Sequence, residues 1–152
     1  MKKRTTMLMA VLLAAPAAAM EPGMWTTTGK TVDIDIALPP GVPASMRDMI
    51  KSQMTGQSYS QDQCITQADL DEAPEKMFQE SEGKCEYERF DMSGGKLDAV
   101  AVCKMQGQTM QMVMTGTHSD NDYQTRMTMT GQGQMGNMTI ITEGSGTRTG
   151  DC

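Results

Sequence analysis

From residue 85 onward the chain alternates apolar and polar residues with a period of two, and Gly, Ser, Asn or Asp punctuate it at short, regular intervals. That pattern predicts antiparallel strands joined by tight turns. The segments are CEYERFDM (85–92), KLDAVAVC (96–103), QTMQMVMTGT (108–117), YQTRMTMTG (123–131) and MGNMTIITEG (135–144), with GSGTRTGDC (144–152) a candidate last strand. Upstream, Val32, Ile34 and Ile36 alternate with Asp33 and Asp35, so Trp25 to Leu38 reads as a first strand, and Gly29 marks a bulge or bend. Met46, Met49, Ile50 and Met54 recur at helical spacing and predict a short amphipathic helix over 44–54. The polar stretch GQSYSQDQ (56–63) reads as a loop. Thr66 followed by Asp69 resembles a helix-capping pair, and the acidic residues 69, 71 and 72 suit a helix N-terminus that Pro74 limits.

Turn geometry then places the methionines. Two-residue turns at Gln106-Gly107, Asp120-Asn121 and Gln132-Gly133 set Cys103 opposite Met110, Ala101 opposite Met112, Met114 opposite Met127, Met112 opposite Met129, Met127 opposite Met138 and Thr125 opposite Ile140. Residues that face each other across an antiparallel pair lie on one side of the sheet. One face therefore collects Leu97, Ala99, Ala101, Cys103, Met110, Met112, Met114, Met127, Met129, Met138 and Ile140. The other carries Gln111, Thr115, Arg126, Thr128, Thr130 and Thr139, with Val100, Val102, Val113 and Ile141 as apolar exceptions.

Composition decides what that first face is. Beyond residue 19 there are 15 methionines but only three leucines, and aromatics are 4% of the chain. Flexible, apolar methionine is the side chain available to fill a core. The rival reading is a soft-metal site: Met112, Met114, Met127 and Met129 form a two-by-two thioether patch suited to Cu(I) or Ag(I). Such a site needs sulfurs that solvent can reach.

The N-terminus reads as a signal peptide over 1–19: a basic MKKR, a short apolar run, and Ala17-Ala18-Ala19 for cleavage. The run is too short to span a bilayer. The remaining 133 residues hold a single β-rich domain, 20–152, with ten basic against 19 acidic residues. That balance excludes nucleic acid as a partner, and no integral membrane segment is expected in the mature chain. Export to the periplasm or beyond makes Cys64, Cys85, Cys103 and Cys152 a disulfide set; zinc would want closer pairs. A two-residue Gly94-Gly95 turn puts Cys103 opposite Glu86, whereas a three-residue turn puts it opposite Cys85. Gly-Gly favours the first, so the expected bridges are Cys64–Cys85 and Cys103–Cys152.

EPGMWTTTGK, CITQADLD, MTMTG and the terminal GTRTGDC resemble a family of small exported bacterial proteins catalogued as a domain of unknown function, number three-six-one-seven. The resemblance implies export and a β-rich fold, and no activity. Gly23-Met24-Trp25 is also similar to the Gly-x-Trp start of lipocalin-type barrels. That likeness implies an indole packed under a basic residue of the last strand, for which Arg148 is placed. The expected fold is thus mainly β: an antiparallel up-and-down meander forming a curved sheet or calycin-like barrel, with one or two short helices after the first strand.

Catalysis is not expected. His118 sits at a turn beside Ser119 and Asp120, where adjacent side chains point apart, and paired cysteines leave no thiolate. No cofactor or metal motif is present. The leading expectation is a non-catalytic protein that binds an apolar small molecule or lipid against the methionine wall, Trp25 and Arg148. The alternatives are the thioether metal binder and a structural or interaction module of the cell envelope.

Overall fold

The computed structural model describes residues 19–72, 84–105, 108–133 and 136–152. The expected leader up to residue 18, the segment around Pro74 and the Gln106-Gly107 turn lie outside the described residues. Seven strands form one antiparallel sheet: β1 (Gly23–Ile36), β2 (Ser58–Ile65), β3 (Lys84–Asp91), β4 (Lys96–Met105), β5 (Gln108–His118), β6 (Asp122–Gly133) and β7 (Gly136–Gly150). The spatial order is β2-β1-β7-β6-β5-β4-β3. β3 to β7 make the expected meander, β1 adds to the far side of β7, and β2 adds to β1. Among the described residues β2 and β3 are therefore edges, and the curved sheet is open. Its edges approach at one end, where Met92, just past β3, packs against Met20, Trp25, Ile65 and Tyr123.

The methionine face is the core. Ala99 and Ala101 are fully buried, and Met110, Met112, Met114 and Met129 keep 3–7% of their surface. Met127, Met138 and Ile140 are partly buried against them. Two of the three expected registers hold: Met105 pairs with Gln108, Met114 with Met127 and Met112 with Met129. The third does not. β6 and β7 pair down to Gly133 opposite Gly136, so Met127 faces Thr142, Met129 faces Ile140 and Thr125 faces Gly144. The slip is an even number of residues, so every side chain stays on its expected face while its partners change.

The disulfides are Cys64–Cys152 and Cys85–Cys103, which corrects the expected pairing. At its own end of the hairpin the Gly-Gly turn is the two-residue turn expected. Gly94 and Gly95 have φ of 62° and 72°, Lys96 N donates to Ser93 O, and Asp91 faces Asp98 as such a turn requires. A bulge at Glu88 then shifts the register by one, and Cys85 comes opposite Cys103. The bulge also lets Tyr87 and Phe90, three residues apart, both face inward as an edge-to-face pair with centroids 5.4 Å apart. The spacing of Cys85, Tyr87, Phe90 and Met92, with its break in alternation, is the sequence trace of this bulge.

Two other segments differ from expectation. GQSYSQDQ supplies most of β2, because eight residues pair without interruption with β1. An edge strand exposed on both faces needs no apolar alternation, so its sequence looks like loop. Residues 144–150 continue β7 rather than forming a separate strand. The expected helices are α1 (Ala44–Met54) and α2 (Gln67–Glu72). The Thr66–Asp69 pair caps α2 reciprocally: Thr66 N donates to Asp69 Oδ2 at 2.8 Å and Asp69 N to Thr66 Oγ1 at 3.2 Å. In α1 no residue is buried, and Met46 and Met49 stay about half exposed at 45% and 51%. The Lys51–Asp33 ion pair at 2.8 Å and backbone bonds from Thr31 to the turn after the helix hold it to β1.

Two outcomes test this packing. Met112→Leu conserves volume and changes stability by less than about 1.5 kcal/mol, whereas Met112→Ala loses about 2–4 kcal/mol in urea unfolding. Deleting Glu88 removes the extra residue and leaves an unbulged ladder, so peptide mapping without reductant still finds Cys85–Cys103. The straightened edge then self-associates more than the parent in light scattering.

Candidate functional site

The residues expected to wall an apolar ligand do converge. Met112 lies opposite Met129 and Met114 opposite Met127, while Met110, Met138 and Ile140 complete the same face. A side chain bordering a cavity large enough for water keeps accessible surface there. The 3–7% retained by Met110, Met112, Met114 and Met129 means that they fill this space. In the two-by-two sulfur patch Met112, Met114 and Met129 are buried, and Met127 is partly buried beside them.

Trp25 and Arg148 close one end. They are register partners on β1 and β7. The indole is fully buried, donates Nε1 to Glu21 O at 3.1 Å, and stacks on Tyr123 at 5.9 Å between centroids. Arg148 Nε donates to Pro22 O at 2.8 Å and its terminal nitrogen to Asp151 at 2.7 Å. The guanidinium lies over Gly23, where a Cβ would come within 2.7 Å of Nε, so the glycine of Gly-Met-Trp is a space requirement. His118 faces this end as well, its Nε2 3.1 Å from Met92 O.

An open concavity lies on the other face. A groove of about 980 Å³ crosses β2, β1, β7, β6 and β5 at right angles to the strands. Its lining is three consecutive register rows. One wall is Ser58, Lys30, Glu143, Arg126 and Thr115; the other is Ser60, Thr28, Ser145, Gln124 and Thr117. Between them the row Tyr59, Gly29, Gly144, Thr125 and Gly116 turns its side chains toward the core face and offers backbone as the floor.

The glycines in that row are dictated from beneath. A Cβ on Gly29 would lie 2.4 Å from the Tyr59 ring, one on Gly116 2.2 Å from Gln124 O, and one on Gly144 2.7 Å from Thr125 Oγ1. Small residues let the strands come close there, which leaves the polar rows standing above a low floor. Gly29 is thus a site of close approach, and the β1 register shift falls after it, between Thr31 and Asp33. Finding this row from sequence requires the correct β6–β7 register, since the expected one put Ile140 opposite Thr125 where Gly144 stands.

The walls differ in chemistry. The first carries an alternating ladder of Lys30, Glu143 and Arg126, in which the guanidinium is ion-paired to Glu143. The second is hydroxyl and amide, with Thr28 Oγ1 2.8 Å from Ser145 Oγ. Among the described residues, the Lys30 and Gln124 side chains have no hydrogen-bond partner. The ladder neighbours Asp33, whose carboxyl is held below its ordinary value mainly by the hydrogen bond from Lys51. Both side chains of that ion pair are about half exposed, so solvent screens it.

The chain belongs to the family described as Protein of unknown function (DUF3617), which matches residues 20–152 and bears out the resemblance read from its motifs. No curated protein and no solved structure matches the chain.

Titration of the closed end is the third test. Burial pushes the Tyr123 phenol above its ordinary value of 10, while the hydrogen bond with Thr27 at 3.0 Å pulls the other way. A folded-state value above the unfolded one gives stability that is complete below about pH 10 and lost as pH rises toward the folded value. Urea midpoints should fall above about pH 10. Tyr123→Phe should flatten that fall while losing about 1 kcal/mol at neutral pH with the Thr27 bond.

Proposed function

We propose that this DUF3617 protein is a non-catalytic, extracytoplasmic binding protein. It holds a polar ligand in the transverse groove and uses the methionine face solely as packing. The observation that carries this reading is the division between faces: Met110, Met112, Met114 and Met129 are 3–7% exposed, and the open 980 Å³ concavity is lined by hydroxyl, amide and charged side chains. An apolar ligand would need the space that those thioethers fill.

Further features support the reading. Both disulfides fit an oxidising compartment, and no helix among the described residues is long and apolar enough to cross a membrane. The family match starts at Met20, where the expected leader ends. All four cysteines are bridged, and His118 is turned toward Met92 on the face away from the groove, so neither offers the groove a nucleophile or base.

Amine labelling tests the site whatever the ligand is. Lys30 and Lys104 are both exposed, and only Lys30 lines the groove. In protein labelled inside its native compartment, Lys30 should react at least about threefold less than in purified protein, with Lys104 unchanged, and the intact mass should begin at Met20. Equal labelling of Lys30 in the two preparations would overturn the groove as the binding surface.

A further inference from the structure

The groove has a repeat. Each of five adjacent strands contributes one side chain to each wall and one backbone segment to the floor. Its polar contacts therefore recur at the strand spacing of ~4.8 Å, over about 19 Å from first strand to last. A ligand that uses this array must itself be linear and polar, with a comparable repeat, and must lie across the strands.

That direction separates the macromolecular candidates. A peptide recognised by a sheet adds along an edge, parallel to the strands, where backbone donors and acceptors are unpaired. Here the floor belongs to β1, β5, β6 and β7, each hydrogen-bonded on both sides, and to β2 at the end. Nucleic acid needs a run of cations, and the groove has Lys30 and Arg126, the latter already paired to Glu143, on a chain of net charge −6. An acyl chain needs an apolar wall. An extended β-linked glycan meets every condition, because its pyranose units advance by roughly one strand spacing and present hydroxyls to both sides.

Resting on the groove as the binding surface, we infer that the ligand is a linear, uncharged β-linked oligosaccharide of about four units, one unit to each strand interval. Gln124, which has no side-chain partner among the described residues, faces Ser145 across β6 and β7 and lies within one wall. Its amide can donate to one sugar oxygen while accepting from another hydroxyl. Lys30 and the Arg126–Glu143 pair supply charge-assisted hydrogen bonds from the opposite wall. The glycine floor lets the flat sugar approach the backbone closely.

The test uses the mature protein, residues 20–152, with chitotetraose and cellotetraose as probes, followed by amide shifts and calorimetry. The expected result is saturable perturbation of Gly29, Gly116 and Gly144 by at least one of them, with affinity rising from the disaccharide to the tetrasaccharide and then levelling. Gln124→Ala should weaken binding about tenfold, and Thr139→Ala, on the same face outside the groove, should leave it unchanged. Circular dichroism of both variants separates lost contact from lost fold. Absence of groove shifts with both probes at millimolar concentration, or shifts centred elsewhere, overturns the glycan. So does binding of a polyanion or an acidic peptide in the groove in their place. In each case Lys30 protection in the native compartment would still stand for a groove ligand of another class, and loss of that protection would remove both proposals.

Discussion

The structure depends on cross-strand register in β4 to β7. A methionine core offers little shape selection of its own, because the side chain is long, unbranched and tolerant of many packings. What makes this core unique is the backbone ladder that sets Met112 against Met129 and Met114 against Met127, with Ala99 and Ala101 beside them as small partners. Large residues from β5 and β6 meet small ones from β4, and the face closes with little surface left. A one-residue slip would send every thioether into water, so register is the strongly specified quantity.

Much of this is legible in the sequence because the turn residues and the alternation agree. Asp120-Asn121 lies between two methionine-threonine runs, and any two-residue turn there brings Met114 to Met127. The β6–β7 hairpin marks where that legibility stops. Both the expected and the observed pairings keep Met127, Met129, Met138 and Ile140 on one face, so burial alone cannot choose between them. The bulge at Glu88 is illegible for a different reason. Glycine chemistry correctly specifies the turn, but the disulfide depends on a register shift several residues away, whose trace is the three-residue gap between Tyr87 and Phe90. β2 escapes notice because an exposed edge strand has no buried face to pattern.

The groove is illegible for a compound reason. Its floor needs Gly29, Gly116 and Gly144 in one row, from three strands that are distant in sequence, and three pairings must be right before the row appears. Single glycines in strands read only as bends. The polar residues of its walls read as ordinary solvated faces, which is how they appear strand by strand. Only the assembled sheet shows that the hydroxyls, amide and charges stand in two parallel lines.

The two faces are thereby chemically independent while sharing one backbone. The core face needs volume and alternation, and any residue change there acts on stability. The groove face needs little from folding, since Lys30, Thr115, Thr117 and Gln124 are exposed. The coupling between them is the glycine row, whose missing side chains satisfy packing below and create the concavity above. The disulfides act on that coupling from the ends. Cys85–Cys103 closes a separation of 18 residues and Cys64–Cys152 one of 88. In the chain-entropy account these contribute about 3 and about 4.5 kcal/mol respectively. The longer bridge ties the C-terminus, next to Arg148, to β2, so the outermost strand contributing to the groove is covalently fixed to the end of β7. A binding surface spread over five strands requires its last strand to hold position, and β2 buries too little on its own to do so.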